Sequence, residues 1–180
     1  MTLSRVDGGQ EVMFGQRDYG GTRLGLCDGI DRGLYGCYTT SVAMMLRHYG
    51  YDTDPGRLDE LLTMGLNGNS ADPGSWRPIY VDGCAMVDDS AEQVTGGEVK
   101  LVSIDYYNDR PADVNSFNMA DDEEIIIGID GSAYFGYPTH FLRVYTWNGT
   151  TLMAADPWNN ARVDVEATFA THSAGTSGAW

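Results

Sequence analysis

The sequence predicts an α+β fold, with N-terminal helices packed on an antiparallel β-sheet. Three observations predict it. Apolar residues recur at helical spacing between Thr39 and Gly65. After Val99 the period changes to that of strands. Asn148-Gly149 separates two apolar runs, a strong hairpin signal, and helices followed by antiparallel strands read as α+β. A length of 180 residues fits one domain, spanning 1–180, and a hydrophobic content of 42% is enough for a core.

Each element has its own signal. Residues 1–36 are rich in Gly and Asp and read as loop, with one short strand near Val12-Met13-Phe14. Val42, Ala43, Met45, Leu46 and Tyr49 define a first helix, with Thr39 or Thr40 as its cap and Gly50 as its stop. In the second helix Asp54 is the cap and Pro55 the first helical residue; Leu58, Leu61, Leu62 and Met64 form the apolar face, and Gly65 ends it. Residues 66–98 are broken by Gly, Pro, Asn and Asp, with short elements at Trp76–Val81 and Cys84–Val87. Strands follow at Val99–Ile104, Glu124–Asp130, His140–Trp147, Thr150–Ala155 and Ala161–Val165. Asp121-Asp122-Glu123-Glu124 reads as a solvated turn.

Charge narrows the function. There are 26 acidic side chains against 11 basic ones, a formal net charge of -15, and Lys100 is the only lysine. Nucleic acid is excluded as a partner, because a phosphate-binding face needs clustered Lys and Arg. Anionic membrane surfaces are excluded on the same ground. The acid excess has two readings: a self-repelling, soluble surface, or a record of a high-GC or salty source. No run of about 18 apolar residues spans a membrane, and Met1 to Gly9 holds no apolar signal core.

The three cysteines are Cys27, Cys37 and Cys84. An odd count without close pairs matches neither a disulfide framework nor a zinc site, so no metal and no cofactor is expected. Asp52-x-Asp54-x-Gly56 has a faint calcium-loop look that helix capping explains. Cys37 stands before the first helix, where unpaired N–H groups and the dipole favour a thiolate nucleophile. A buried small hydrophobe is the ordinary role of any one Cys. Cys27 has carboxylates nearby in sequence and Cys84 has no cation near, so Cys37 is the better nucleophile.

A cysteine nucleophile needs a base, and the base an orienting group. His48 lies in the last turn of its helix, where complementing the dipole explains it, and His172 lies in a small-residue tail. His140 opens a strand beside a loop. Asp156 ends the next strand. A two-residue Asn148-Gly149 turn would put them on opposite faces. A three-residue loop, Trp147-Asn148-Gly149, pairs His140 with Asp156; the catalytic reading requires that loop or a bulge of equal effect. Gln16 is the candidate oxyanion donor.

Gln16-Arg17-Asp18-Tyr19, then Gly36-Cys37 opening a helix, then His140-Phe141, then Asp156-Pro157-Trp158, resembles a papain-like cysteine peptidase. The likeness is to the C39-like branch, typified by the bacteriocin-leader peptidases of ABC exporters and their stand-alone relatives. It spans about residues 14–160. It implies a papain-like fold with Cys37 as nucleophile, His140 as general base and acid, Asp156 as orienting acid and Gln16 as oxyanion donor. Tyr38-Thr39 departs from the family, where a small residue and Pro often stand. Trp158, Tyr137 and Tyr38 are candidate substrate contacts.

The expected reaction is amide hydrolysis. A chain with no signal peptide, ending on Gly178-Ala179-Trp180, reads as a monomeric domain cut from a longer protein, with further catalytic or cell-wall-binding domains elsewhere. By analogy with N-terminal endolysin modules of actinobacterial phages, the expected substrate is the stem peptide or cross-bridge of peptidoglycan. Such a protein would be made in the host cytoplasm and released by a holin. The alternatives are a peptidase acting on leader peptides or other proteins, and an inactive papain-like module that only binds peptide.

Overall fold

The computed structural model describes residues 3–5, 11–25, 29–64, 80–81, 85–86, 89–106, 124–129, 140–147, 151–169 and 174–179. In these, a short 3-10 turn at Gln16–Tyr19 precedes helices α1 (Arg32–Tyr35), α2 (Cys37–His48) and α3 (Pro55–Met64). Strands β1 (Tyr80–Val81) and β2 (Ala85–Met86) pair with each other, and α4 (Ser90–Thr95) follows. Strands β3 (Ser103–Tyr106), β4 (Ile125–Ile129), β5 (His140–Trp147), β6 (Leu152–Asp156), β7 (Ala161–Asp164) and β8 (Ala174–Ala179) form one sheet, with α5 (Val165–Phe169) between β7 and β8. The order is β3-β8-β4-β5-β6-β7, antiparallel throughout. The fold is α+β.

Helix α2 is buried along nearly its whole length, from Cys37 to Leu46 apart from Tyr38. It begins at Cys37, two residues before Thr39, so neither Thr39 nor Thr40 caps it. The start moves because α1, read from sequence as loop, abuts α2 and presents Gly36 at the junction. A Cβ on Gly36 would lie 2.4 Å from the Arg32 carbonyl oxygen, so only glycine fits there. The cap of α3 is as expected: Asp54 Oδ1 accepts from the Arg57 N–H at 2.9 Å.

The two faces of the sheet have separate cores. On one, Ile126 and Phe141 join Val42, Met45, Leu46, Leu58 and Leu62 of the helices. On the other, Ile125, Ile127 and Ile129 of β4 meet Leu142, Val144, Leu152, Ala154 and Val165. All five β4 residues are buried, as its unbroken apolar run predicts for a central strand.

Four expectations need correction. Val12-Met13-Phe14 is not a strand. The strand expected over Val99–Ile104 begins only at Ser103, because Val99 is tied to α4: its N–H donates to Thr95 Oγ1 and its side chain joins the helical core. The small-residue tail holds β8, inserted between β3 and β4. Glu124, expected in a solvated turn, is 5% exposed and hydrogen-bonded to Arg143. Cys27, Cys84, Gly65, Asp121 to Glu123, Tyr137, Asn148-Gly149 and His172 lie outside the described residues. No helix among the described residues is long and apolar enough to cross a membrane.

Candidate active site

Cys37 is the first residue of α2 and is 8% exposed: largely enclosed, but not sealed. One helical turn on, Ser41 Oγ donates to the Phe141 carbonyl at 3.2 Å. The Tyr38 ring packs on the Phe141 ring with centroids 4.6 Å apart. Helix α2 therefore grips β5 at the residue next to His140 and holds the start of the helix beside the start of the strand.

His140 is buried, and its Nε2 lies 2.8 Å from Asp156 Oδ1. An ionised carboxylate only accepts, so Nε2 carries the hydrogen and donates. His140 also hydrogen-bonds Cys37, which leaves Nδ1 to face the thiol. Burial disfavours the charged ring. The hydrogen bonds to Asp156 and Cys37 and the attraction of both groups outweigh it, raising the His140 pKa from 6.5 to about 9.

Asp156 is fully buried, and its acceptor sites are used. Oδ1 also accepts from the Trp158 N–H at 2.8 Å, and Oδ2 accepts from Asn159 Nδ2 at 2.6 Å. Burial alone would push its carboxyl up. The hydrogen bond and charge of His140, with the Trp158 and Asn159 donors, hold it below the usual carboxylate range.

The pairing of β5 with β6 differs from the expected three-residue loop. The ladder closes at Trp147↔Leu152, so four residues connect the strands. Carried on unchanged, that register would put Asp156 opposite Arg143 and on the face away from His140. Between Val144 and Thr146 the register shifts by one, with Tyr145 as the extra residue of a β-bulge. Beyond it Arg143 faces Ala155, so the continued register puts Asp156 opposite Leu142, on the same face as His140. The contact is diagonal, a spacing long side chains span.

Gln16 is fully buried in the 3-10 turn. Its Nε2 donates to the carbonyls of Gly33 at 3.0 Å and Leu34 at 3.2 Å, just upstream of Cys37. Both amide hydrogens are thereby engaged, and Oε1 is buried without a hydrogen-bond partner. The Gln16 N–H donates to the Pro157 carbonyl at 2.8 Å, fastening this turn to the segment after Asp156. Trp158 is half-buried under Arg17, whose Cζ sits 4.1 Å from the ring centroid.

Sequence reasoning missed Asn159 as a partner of Asp156, although a polar residue soon after a strand-ending Asp is a turn signal. It also missed a second buried cluster. Arg143, 1% exposed, donates through Nε to Glu124 Oε2 at 2.7 Å and through Nη2 to Glu11 Oε1 at 3.0 Å. His48 joins it rather than standing alone at its helix end, with Nε2 3.2 Å from Glu124 Oε1. Burial works against ionisation of Glu11, but Arg143 and His48 hold its carboxyl below the usual value. No group of three or more potential metal ligands occurs among the described residues.

A thiol at a helix N-terminus, an imidazole facing it and a buried carboxylate on the far ring nitrogen are the parts of nucleophilic acyl transfer. Comparison of the chain with protein families, with curated proteins and with solved structures finds no match.

Proposed function

We propose that this chain is a papain-like cysteine peptidase that hydrolyses amide bonds through Cys37, His140 and Asp156. The observation that carries the reading is the His140 ring, buried and hydrogen-bonded to Asp156 at 2.8 Å on one side and to Cys37 on the other. In the proposed reaction Cys37 attacks the carbonyl as thiolate, with its proton on His140. His140 then gives that proton to the leaving amine, and water activated by the neutral ring releases the acyl group. Asp156 holds the ring orientation and stabilises the imidazolium. Gln16 serves this reaction by fixing the Gly33–Leu34 carbonyls that lead into Cys37. It donates to the oxyanion only if its amide lets one of them go.

The substrate we favour is the peptide part of peptidoglycan, with the chain acting as the peptidase module of a phage endolysin after holin-mediated release. This step rests on analogy with the N-terminal peptidase modules of endolysins and not on a residue that recognises cell wall. Purified cell walls of several chemotypes, incubated with the protein and with Cys37→Ala, provide the test. New amino termini are expected with the first and not the second. Activity that survives Cys37→Ala would sink the mechanism, and Cys37-dependent cleavage of casein with none of cell walls would sink the endolysin assignment.

A further inference from the structure

We propose that Arg17, stacked on Trp158, is a subsite that reads a carboxylate on the peptide substrate. The proposal rests on the peptidase reading and adds the chemistry of what the site prefers to bind. Arg17 and Trp158 come from distant parts of the chain and meet at the turn that follows Asp156. Trp158 is fixed there by its N–H on Asp156 Oδ1. Arg17 is fixed by its neighbour Gln16, which binds the Pro157 carbonyl through its own N–H and the Gly33 and Leu34 carbonyls through its side chain. Gly15, just before, lets the two segments touch: a Cβ there would lie 3.1 Å from the Asn160 Cβ. The guanidinium is therefore held over the indole, 4.1 Å from its centroid, by a turn whose backbone contacts also frame Cys37 and Asp156.

Arg162 also lies over a ring, that of Tyr145, with Cζ 4.5 Å from the centroid, but five other arginines are held in ion pairs. Arg32 is paired with Asp59, Arg143 with Glu124 and Glu11, Arg47 and Arg57 with Asp52, and Arg5 with Glu98. The Arg17 side chain is exposed and makes no ion pair or hydrogen bond among the described residues; its described contact is the ring face. Stacking uses the face of the guanidinium and leaves its five N–H groups, which lie in the plane, for an acceptor. A planar carboxylate matches that edge bidentately, and the stack reduces the rotamer freedom lost on binding. Asp18 follows Arg17 without pairing with it, so a ligand carboxylate does not have to displace a salt bridge. In a chain of net charge -15 the long-range field repels anions. Selection of a carboxylate must then come from a short-range contact, which salt at about 0.15 M, with a screening length near 8 Å, leaves largely intact.

The test compares two muropeptides, released from cell wall by a muramidase, that differ only in a carboxylate or a carboxamide at one stem position. With the wild-type chain, kcat/KM for the carboxylate form is expected to exceed that for the carboxamide by about tenfold, the scale of one charge-assisted contact. In Arg17→Gln that ratio should fall to near one, and Arg17→Lys, which loses the fork, should restore only part of it. A ratio preserved in Arg17→Gln, with both rates lowered together, would show Arg17 to be a structural cover over Asp156 and would overturn the proposal. Calorimetric binding of the same pair to Cys37→Ala supplies an arm independent of catalysis. If the wild-type chain hydrolyses neither compound but Cys37→Ala binds the carboxylate form more tightly, and Arg17→Gln removes the difference, the subsite stands and the peptidase reading falls. Hydrolysis without any preference leaves the peptidase reading and overturns the subsite. Absence of both hydrolysis and binding overturns both.

Discussion

The residue scale is set by one imidazole. His140 is hydrogen-bonded on both ring nitrogens, and both partners favour its charged form. Its pKa is raised in the folded chain, so its stabilising contribution is complete below 6.5 and is lost as pH rises through about 9. The melting temperature of the wild-type chain is therefore expected to fall between those pH values. Cys37→Ala, which removes one of the raising partners, should show a smaller fall, at lower pH. Hydrolysis follows the same group: kcat/KM should decline above about 9, where the imidazolium that protonates the leaving amine is lost. Asp156 works in the opposite direction. Its pKa is lowered, so its contribution is present above its ordinary value of 3.8 and is lost as pH falls through the folded value. Asp156→Asn keeps the shape but presents the ring with a neutral group, and a kcat loss of about 10³ to 10⁴ is expected in steady-state kinetics.

At the scale of elements, two joints carry the site. The first is the junction of α1 and α2. Gly36→Ala would drive a Cβ to 2.4 Å from the Arg32 carbonyl oxygen, a backbone atom that does not yield cheaply. A loss of about 1–3 kcal/mol in urea-unfolding stability is expected, the usual range for overpacking. The second is the clamp of α2, β4 and β5 made by Arg143, Glu124, Glu11 and His48. Glu124→Gln would leave Arg143, 1% exposed, with only the exposed Glu11 carboxylate. Breaking a buried pair on one side costs about 3–5 kcal/mol, and urea unfolding should show a loss near the lower end of that range because Glu11 remains. Arg143 lies three residues from His140 on β5, so the same variant should also lower kcat.

For the whole molecule, the charge of -15 is the leading feature. Self-repulsion destabilises a compact state, and salt screens it. Raising NaCl from about 20 mM to about 500 mM should raise the melting temperature at pH 7, provided His140 and Asp156, both buried, keep their mutual contact. A fall would mean that surface ion pairs such as Arg47–Asp52 outweigh the repulsion. The sheet joins distant parts of the chain: β8 lies between β3 and β4, so residues 174–179 complete its centre.

The α+β class, the buried β4, the span of β5 and the cap of α3 were legible in the chain itself, because each depends on local periodicity or on a side chain bonding to its own backbone. Cys37 at a helix start, and His140 and Asp156 at strand ends, were legible as candidates for the same reason. Their meeting was decided by tertiary structure. A four-residue connection between β5 and β6 would have parted His140 from Asp156, and only the bulge at Tyr145 returns them to one face. Nothing local announces that bulge, because register is a property of the paired strands. Gln16 reaching the Gly33 and Leu34 carbonyls, Arg143 joining Glu11 and Glu124, and β8 entering the sheet were hidden likewise, since each joins residues far apart in sequence. The sequence determined which residues could react and which elements carry them. The packing of helix on sheet decided which of them touch, because register and burial are properties of pairs of elements and not of either alone.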